Sequence, residues 1–377
     1  MIERADVAVI GGGIVGLAQA WSAAKRGLSV VLFERSPRAE GASIRNFGMI
    51  WPIGLVAGPR REAALRGREL WEEIAAATGI WHDPCGSLHL AYAPDELAVL
   101  TEFVERAPAL GYECALLEAA AVRRLGPAVN FEGLLGGLWS PTEMAIDPRQ
   151  AIAVIPRWLH EHFGVHLCFG TTIHRIDMPH VESTDGRRWR VERALVCGGA
   201  DFATLFPEVF ARAGLRRCKL QMMRTAPQPD GWRMGPMIAG GLTLRHYQAF
   251  AHCPSITRLR ERIAAESPEL DRFGIHVMAA QNGRGEVVLG DSHEYDEAIE
   301  PFDKSTIDEL ILRHLRRMLR LPEEGIAARW HGLYAKHPTL AEFTAEPRPG
   351  VTIVVNTCGL GMTMSFGLAE QRWQNVA

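Results

Sequence analysis

The chain has 377 residues, of which 47% are hydrophobic and 23% charged, a composition typical of a globular protein long enough for two domains. Its formal net charge of −3 argues against nucleic acid or an anionic membrane as a partner. The apolar start, Val7 to Ile10, runs directly into glycines and predicts neither a signal peptide nor a membrane span. The seven cysteines are scattered without a Cys-x-x-Cys pair, so we expect reduced thiols and a cytoplasmic protein.

The N-terminus predicts a strand–helix–strand unit. A β-branched strand at 6–10 leads into Gly11-Gly12-Gly13-Ile14-Val15-Gly16, and helix-like spacing follows from Leu17 to Arg26. A second buried strand, Leu28 to Phe33, ends at Glu34-Arg35. The unit has the length expected of a parallel crossover.

The remaining elements alternate between two types. Helices are predicted at 61–78, 94–110, 149–163 and 305–321, strands at 87–92, 165–169, 194–197 and 351–355, a loop at 141–148, and an antiparallel sheet across 218–300. We therefore predict an α/β fold with two interleaved domains. A Rossmann-type dinucleotide-binding domain comprises 1–84, 141–217 and 328–377, and a mostly antiparallel α+β substrate domain comprises 85–140 and 218–327.

The glycine motif predicts a dinucleotide site, because a strand precedes it, a helix follows it and an acid ends the next strand. Gly11 permits the tight turn, Gly13 lets the backbone approach a pyrophosphate, and Gly16 lets the helix pack closely on the strand. The pyrophosphate is expected at the helix N-terminus, which Ile14 and Val15 begin. Glu34, followed by Arg35, is placed to accept from the ribose hydroxyls, which argues against NADP.

Two further segments favour FAD over NAD. Small residues in the segment from Gly41 to Met49 let the backbone crowd against a ring system, and a helix begins at a glycine turn near Gly359. A helix N-terminus there can stabilise negative charge on the pyrimidine ring of a reduced flavin, which a nicotinamide does not need. The additional candidate cofactor contacts are Ala42, Ser43, Arg45, Asn46, Gly48, Met49, Cys197, Gly198, Gly199, Gly359, Leu360, Gly361, Met362 and Thr363.

These segments, in their order along the whole chain, resemble the D-amino-acid oxidase, glycine oxidase and sarcosine oxidase superfamily of FAD enzymes. The resemblance implies a flavin domain beside a mixed, mostly antiparallel sheet, with the active site between that sheet and the flavin. Residues 45–52, 244–247 and 290–294 resemble a subgroup associated with phosphonate breakdown. That resemblance implies an aminophosphonate, such as an N-methylated 2-aminoethylphosphonate, as substrate.

Three positions depart from these relatives. Thr363 stands where sarcosine oxidases have a lysine that helps to hold the substrate carboxylate, which argues against sarcosine itself. Val288 aligns with a lysine that speeds reaction with oxygen, which favours a dehydrogenase, although oxygen and another electron acceptor both stay open. Ile44 has no histidine or cysteine beside it, so FAD is expected to bind without a covalent link.

The expected reaction is amine oxidation, in which hydride passes from the carbon next to nitrogen to flavin N5 and the imine is hydrolysed. An anionic amine needs a cationic clamp. In an apparent strand, Arg245 and Tyr247 would share one face, with His246 on the other, while Lys336 and His337 follow an apparent loop. The catalytic candidates are Arg45, Arg245, His246, Tyr247, Lys336 and His337, and Asp291 and His293 are weaker candidates for the site.

Other functions stay open at this point. No metal site is expected, because His160 and His162 lack a third ligand nearby. The same resemblance allows a D-amino-acid or glycine oxidase, and also a 2-hydroxy-acid or glycerol-phosphate dehydrogenase. A non-catalytic flavin module of a larger complex is the third alternative.

Overall fold

The computed structural model describes residues 3–296 and 299–374, which form twenty β-strands and eleven α-helices. The strands are β1 Glu3–Ile10, β2 Val30–Glu34, β3 Met49–Ile50, β4 His82–Asp83, β5 Ser87–Ala91, β6 Ala115–Glu118, β7 Gly136–Ser140, β8 Met144–Ile146, β9 His166–Phe169, β10 Ile173–Asp177, β11 His180–Ser183, β12 Arg188–Val196, β13 Arg216–Pro227, β14 Met237–Ala239, β15 Met278–Gln281, β16 Glu286–Gly290, β17 Glu294–Asp296, β18 Ile326–Lys336, β19 Glu342–Arg348 and β20 Val351–Asn356. The helices are α1 Ile14–Ala24, α2 Pro59–Thr78, α3 Pro94–Arg106, α4 Ala119–Leu125, α5 Pro148–Phe163, α6 Pro207–Arg212, α7 Gly241–Leu244, α8 Ile256–Glu266, α9 Pro268–Arg272, α10 Ser305–Met318 and α11 Gly361–Gln374.

The first sheet contains the parallel strands. Its order is β10-β11-β12-β1-β2-β9, and β20 pairs with both β12 and β19. β1 runs parallel to β2 and β12, β2 runs parallel to β9, and β12 runs parallel to β20. The carboxyl ends of these strands therefore meet at one edge, which is where open α/β sheets bind their ligands.

Helices from both ends of the chain cover one face of this sheet. The ring of Trp21 in α1 packs edge-on against Phe366 in α11, with centroids 5.4 Å apart. Trp373 of α11 donates a hydrogen bond to the side chain of Gln19 at 2.9 Å. A Cβ on Gly367 would overlap the carbonyl oxygen of Ala63, so α2 crosses α11 closely only because glycine stands there. These contacts fix the start of α11 at the carboxyl edge of the sheet.

The second sheet is mixed and mostly antiparallel. Its order is β17-β13-β16-β15-β14-β5-β7-β6, with β18 also paired to β13, and β14 runs parallel to β5. A large apolar core lies against it and includes the buried side chains of α3, α8 and α10. A small third sheet consists of three short antiparallel strands in the order β3-β8-β4.

The predicted α/β fold is confirmed, and three local predictions are wrong. The 218–300 segment contains helices α7, α8 and α9 as well as strands, and the loop predicted at 141–148 contains β8. The segment predicted as a loop before Lys336 is the long strand β18, which pairs with β13 in the mixed sheet. Short helices escaped prediction because their apolar residues are few: α8 buries only Ile256, Leu259 and Ile263. The domain boundaries stay a prediction.

Among the described residues, no helix combines the length and the apolar character needed to cross a bilayer.

Candidate functional site

Four loops meet at the carboxyl edge of the parallel sheet. They follow β1, β2, β12 and β20, which are neighbours in the sheet. The carboxyl-terminal parts of these strands are mostly buried. The loops that follow leave these residues partly or fully exposed: Gly11, Gly13, Val15, Ala42, Ser43, Arg45, Asn46, Gly198, Gly199, Gly359, Leu360 and Gly361. The sequence-predicted cofactor residues are thus brought to one edge from four separate parts of the chain.

The turn after β1 has the geometry that its glycines predict. Gly11 has φ of +114°, a conformation that L side chains rarely adopt, and a Cβ there would overlap the carbonyl oxygen of Cys197. A Cβ on Gly16 would overlap the carbonyl oxygen of Gly11. Helix α1 therefore begins against the strand ends with backbone atoms facing the edge.

The N-terminus of α1 is open to an anion. Gly13 is its N-cap and supplies no side-chain cap. The Ile14 N–H donates to the Ser43 hydroxyl at 2.9 Å, which places the loop after β2 directly over the helix start. The N–H groups of the first turn have no helical acceptor, and with the helix dipole they favour a phosphate group at this point.

The β2 end carries the features expected around an adenosine. The Glu34 carboxylate accepts hydrogen bonds from Gly12 N at 2.9 Å and Ser36 N at 3.0 Å, which fixes its position at the strand end. Arg35 pairs with Asp201 at 2.8 Å and so connects this strand to the turn after β12. Burial raises the pKa of the Cys197 thiol to about 12, so this cysteine is an unreactive packing residue.

The loop after β2 is held by its own hydrogen bonds. The Asn46 side chain donates to the carbonyl oxygens of Ala42 and Ser43, both at 3.0 Å, and accepts from Gly48 N at 2.8 Å. A Cβ on Gly48 would overlap the carbonyl oxygen of Ile146. Met49 continues from the loop into β3 and is buried. The loop thus presents a fixed backbone surface of the kind that can face a flat ring.

The start of α11 supplies a second set of N–H donors. Gly359 has φ of +78°, and the first helical bond is from Met364 N to Leu360 O at 3.0 Å. The N–H groups of Gly361 and Met362 therefore precede the helical ladder. The Thr363 hydroxyl accepts a hydrogen bond from Trp51 N at 3.0 Å and is buried. The Thr363 side chain therefore connects α11 to the segment after β3 and does not face a substrate.

The face of the mixed sheet meets this edge at three places. Arg45 donates to the carbonyl oxygen of His331 at 3.2 Å, and a Cβ on Gly290 would lie 3.2 Å from the Phe47 ring. A Cβ on Gly359 would lie 3.4 Å from the Tyr334 hydroxyl. Strands β16 and β18 therefore face the two loops that are predicted to hold the flavin.

Lys336 lies on the same side of β18 as Tyr334, because residues two apart in a strand share a face. It has no ion-pair partner among the residues that the structure describes. Burial lowers the pKa of His246, His276 and His293, and the positive charge of Lys336 adds to this effect. Burial raises the pKa of the Cys358 thiol, and the charge of Lys336 opposes that rise. An uncompensated cation thus lies beside the turn that leads into α11.

Three histidines cluster beside this cation. The ring centroids of His246 and His276 are 4.0 Å apart, those of His246 and His293 4.6 Å, and those of His276 and His293 5.0 Å. Burial lowers the pKa of His246 and His276 well below the usual value and that of His293 to about 4, so all three rings are neutral at pH 7. His276 was not identified from the sequence.

Three further side chains, one acidic and two phenolic, lie beside the histidines. Burial raises the pKa of Asp291 well above its usual value. Burial also raises the pKa values of Tyr247 and Tyr334, so both hydroxyls remain protonated and able to donate. The Tyr247 ring packs against Gly54, and the Tyr247 hydroxyl donates a weak hydrogen bond to the Met278 sulfur at 3.7 Å.

Two of the six catalytic candidates are engaged elsewhere. Arg245 pairs with Asp271 and donates to the carbonyl oxygen of Ile275 at 3.0 Å. The predicted strand around it is wrong, because Arg245 is the C-cap of α7. His337 accepts at Nδ1 from Thr339 N and Leu340 N, at 3.1 and 3.0 Å, so it caps a turn on the opposite side of β18 from Lys336.

The residues at this edge fit FAD. A glycine cradle at the start of α1, an acid at the β2 end and a second helix start at α11 match the pyrophosphate, ribose and flavin in turn. No histidine or cysteine lies in the loop after β2, so this loop offers no side chain for a covalent link to the flavin.

The chain is similar to known oxidoreductases in sequence and structure. It is 31% identical over 163 residues to human mitochondrial sarcosine dehydrogenase, covering 41% of this chain and 17% of that protein. It is 29% identical over 168 residues to one subunit of the anaerobic glycerol-3-phosphate dehydrogenase of Escherichia coli, covering 44% of this chain and 30% of that subunit. The chain thus matches less than a third of the length of either relative.

The fold is similar to that of glycine oxidase from Geobacillus kaustophilus, with a TM-score of 0.76 and 18% identity over 97% of this chain and 93% of that one. The sequence pattern of the DAO family, described as "FAD dependent oxidoreductase", matches residues 6–371. The chain therefore belongs to the DAO family of FAD-dependent oxidoreductases.

Proposed function

We propose that this FAD-dependent enzyme oxidises a small amine that carries an anionic group, with an aminophosphonate such as N-methylated 2-aminoethylphosphonate favoured. The observation that carries the proposal is Lys336, a cation without an ion-pair partner among the described residues. Tyr334, on the same face of β18, reaches the turn that precedes α11. A half-buried cation beside the cofactor edge is suited to an anionic head group.

The surrounding groups suit such a head group. The hydroxyls of Tyr247 and Tyr334 stay protonated and can donate to its oxygens. Arg45 extends from the cofactor loop toward β18, so its guanidinium lies at the junction of the two sheets. A phosphonate dianion has more negative charge and more acceptor oxygens than a carboxylate. The two cations can balance that charge, and the two hydroxyls can donate hydrogen bonds to those oxygens.

Bound FAD would supply the hydride acceptor for the carbon next to nitrogen. The residues of the chain would bind the head group, orient the carbon–nitrogen bond and exclude water. Asp291, His276 and His293 are buried, and Tyr247 and His246 are partly buried, which agrees with a site largely shielded from solvent. The seven free cysteines support a reducing compartment, and we place the reaction in the cytoplasm.

A glycerol-phosphate or 2-hydroxy-acid dehydrogenase is the second candidate. It is favoured by the similarity to the glycerol-3-phosphate dehydrogenase of Escherichia coli, and a phosphate ester would suit the same cation. An amino-acid oxidase is the third candidate, because the fold is similar to that of a glycine oxidase.

The test is anaerobic bleaching of the flavin absorbance in the purified protein. The panel consists of 2-aminoethylphosphonate, its N-methyl form, glycine, sarcosine, D-alanine and glycerol 3-phosphate. We expect the phosphonates alone to bleach the flavin rapidly. Bleaching by glycine or D-alanine would replace the phosphonate assignment with an amino-acid oxidase, and bleaching by glycerol 3-phosphate alone would contradict amine oxidation.

We propose that Val288 influences the choice of electron acceptor. This side chain shares its face of β16 with Glu286 and Gly290. Glu286 pairs with Arg149 of α5 at 2.6 Å, and Gly290 faces Phe47 of the cofactor loop. Val288 therefore points toward the predicted cofactor domain, and we propose that its lack of charge makes oxygen a poor acceptor.

Replacing Val288 by lysine is expected to make the reduced flavin react about tenfold faster with oxygen, because a cation there stabilises the negative charge that develops on oxygen. Stopped-flow reoxidation of the substrate-reduced protein measures this rate. Val288→Met is the matched control, since it adds length without charge. Equal reoxidation rates for the lysine and methionine variants would show that the charge at position 288 does not control the reaction with oxygen.

A further inference from the structure

The three clustered histidines come from separate loops and have few other partners. One nitrogen from each of His246, His276 and His293 lies within 4.8 Å of the other two. Zinc–nitrogen bonds of about 2.0–2.1 Å in a tetrahedral site place ligand nitrogens about 3.3 Å apart. The widest pair needs to close by about 1.5 Å, which side-chain rotation of imidazoles can supply.

His293 is oriented as a metal ligand requires. Its Nδ1 lies 3.1 Å from the carbonyl oxygen of Gly274. A carbonyl oxygen only accepts, so Nδ1 carries the proton and Nε2 keeps its lone pair. A backbone carbonyl in this position fixes both the tautomer and the ring orientation of metal-ligating histidines.

His276 and Asp291 are buried without adequate partners. Neither ring nitrogen of His276 has a hydrogen bond, and neither does Oδ1 of Asp291. His276 Nε2 lies 3.2 Å from Asp291 Oδ1, but their directions do not form a hydrogen bond. The second carboxylate oxygen lies 3.9 Å from His293 Nε2. Unsatisfied polar atoms at this depth indicate that a partner belongs among them.

We propose that His246, His276 and His293, with Asp291 as the fourth ligand, bind a divalent transition-metal ion of the zinc type. Three imidazoles and one carboxylate are donors that zinc accepts in a tetrahedral arrangement.

The charges near the three histidines have opposite effects on a bound metal ion. The positive charge of Lys336 opposes a second cation, whereas Asp291, which lies 3.2 Å from His276 and 3.9 Å from His293, provides the acidic group that can offset the charge of a bound ion. Arg245 is already paired with Asp271. Metal binding by these residues is independent of which amine the enzyme oxidises.

The test uses the tag-free, FAD-loaded protein. It is treated with a chelator, dialysed against excess Zn²⁺, desalted and analysed for metal by mass spectrometry. We expect about one Zn²⁺ per chain and a higher melting temperature than that of the chelator-treated protein. His276→Ala is expected to bind Zn²⁺ at least about 100-fold more weakly in calorimetry, since losing a ligand costs more than losing an outer-shell partner.

His162→Ala is the matched control, because this histidine is exposed on α5, and it should retain the ion. If His276→Ala fails to fold, His246→Gln tests the same ligand set at its partly exposed member. Loss of zinc in either cluster variant supports the site. The site is overturned if the wild type contains no zinc, or if the cluster variants contain as much zinc as the wild type and His162→Ala. Stabilisation by inorganic phosphate and not by Zn²⁺ also overturns it, and would assign the histidines to an anion site.

Discussion

Gly16→Ala is expected to give a protein that purifies without FAD. The added Cβ would overlap the carbonyl oxygen of Gly11, so helix α1 must move away from β1 or the glycine turn must open. Both atoms are held by buried elements, and overpacking of this kind costs about 3 kcal/mol. Either movement displaces the N–H groups that are predicted to hold the pyrophosphate. Flavin absorbance per protein after gel filtration measures the loss.

Gly41→Ala is the control for this substitution. Gly41 begins the cofactor loop, but a Cβ there meets nothing within 4 Å and its φ of −76° suits any residue. The variant should keep its flavin, and circular dichroism should show both variants folded. A fully flavinated Gly16→Ala protein would contradict the role of this edge in cofactor binding.

Lys336→Met is expected to lower kcat/KM for the anionic substrate by about 10- to 100-fold, which is the worth of one hydrogen bond to a charged group. The methionine keeps most of the side-chain length and removes only the charge. The loss should appear mainly in KM, because the head group is bound equally in the ground state and the transition state. Anaerobic flavin reduction over a range of substrate concentrations separates KM from kcat.

Lys25→Met is the matched control, because Lys25 pairs with Glu73 on the surface. Lys336→Arg should recover part of the affinity, since it restores the positive charge. An unchanged kcat/KM in Lys336→Met would mean that another residue binds the anionic group of the substrate, and Arg45 would be tested next.

The parallel half of the fold was predictable because its signals are local. A β-branched strand, a glycine turn and a helix follow one another within residues 6–26, and the structure places β1 and α1 there. The same signals recur at Gly359 and the start of α11. Which strands lie side by side was not readable from any one segment, since β12 and β20 are far from β1 in sequence.

The candidate site was predictable only in part. Glycine motifs identify the cofactor residues in the sequence. The histidines, tyrosines and Asp291 around Lys336 come instead from loops and strands with no common spacing. His276 lies 30 residues after His246 and 17 before His293, so the metal-ligand spacing that a sequence can show is missing. The alternation of Gly332, Tyr334 and Lys336 was a usable signal for β18, and it identifies Tyr334 as a site residue.

The pairing of α1 with α11 has a consequence for synthesis on the ribosome. Gln19 and Trp373 are 354 residues apart, yet their side chains bond in the finished protein. The nascent chain emerges from its N-terminus, so the first glycine turn waits for β12, β20 and finally α11 before the FAD cradle is complete. The complete FAD cradle can therefore form only after α11 has been synthesised.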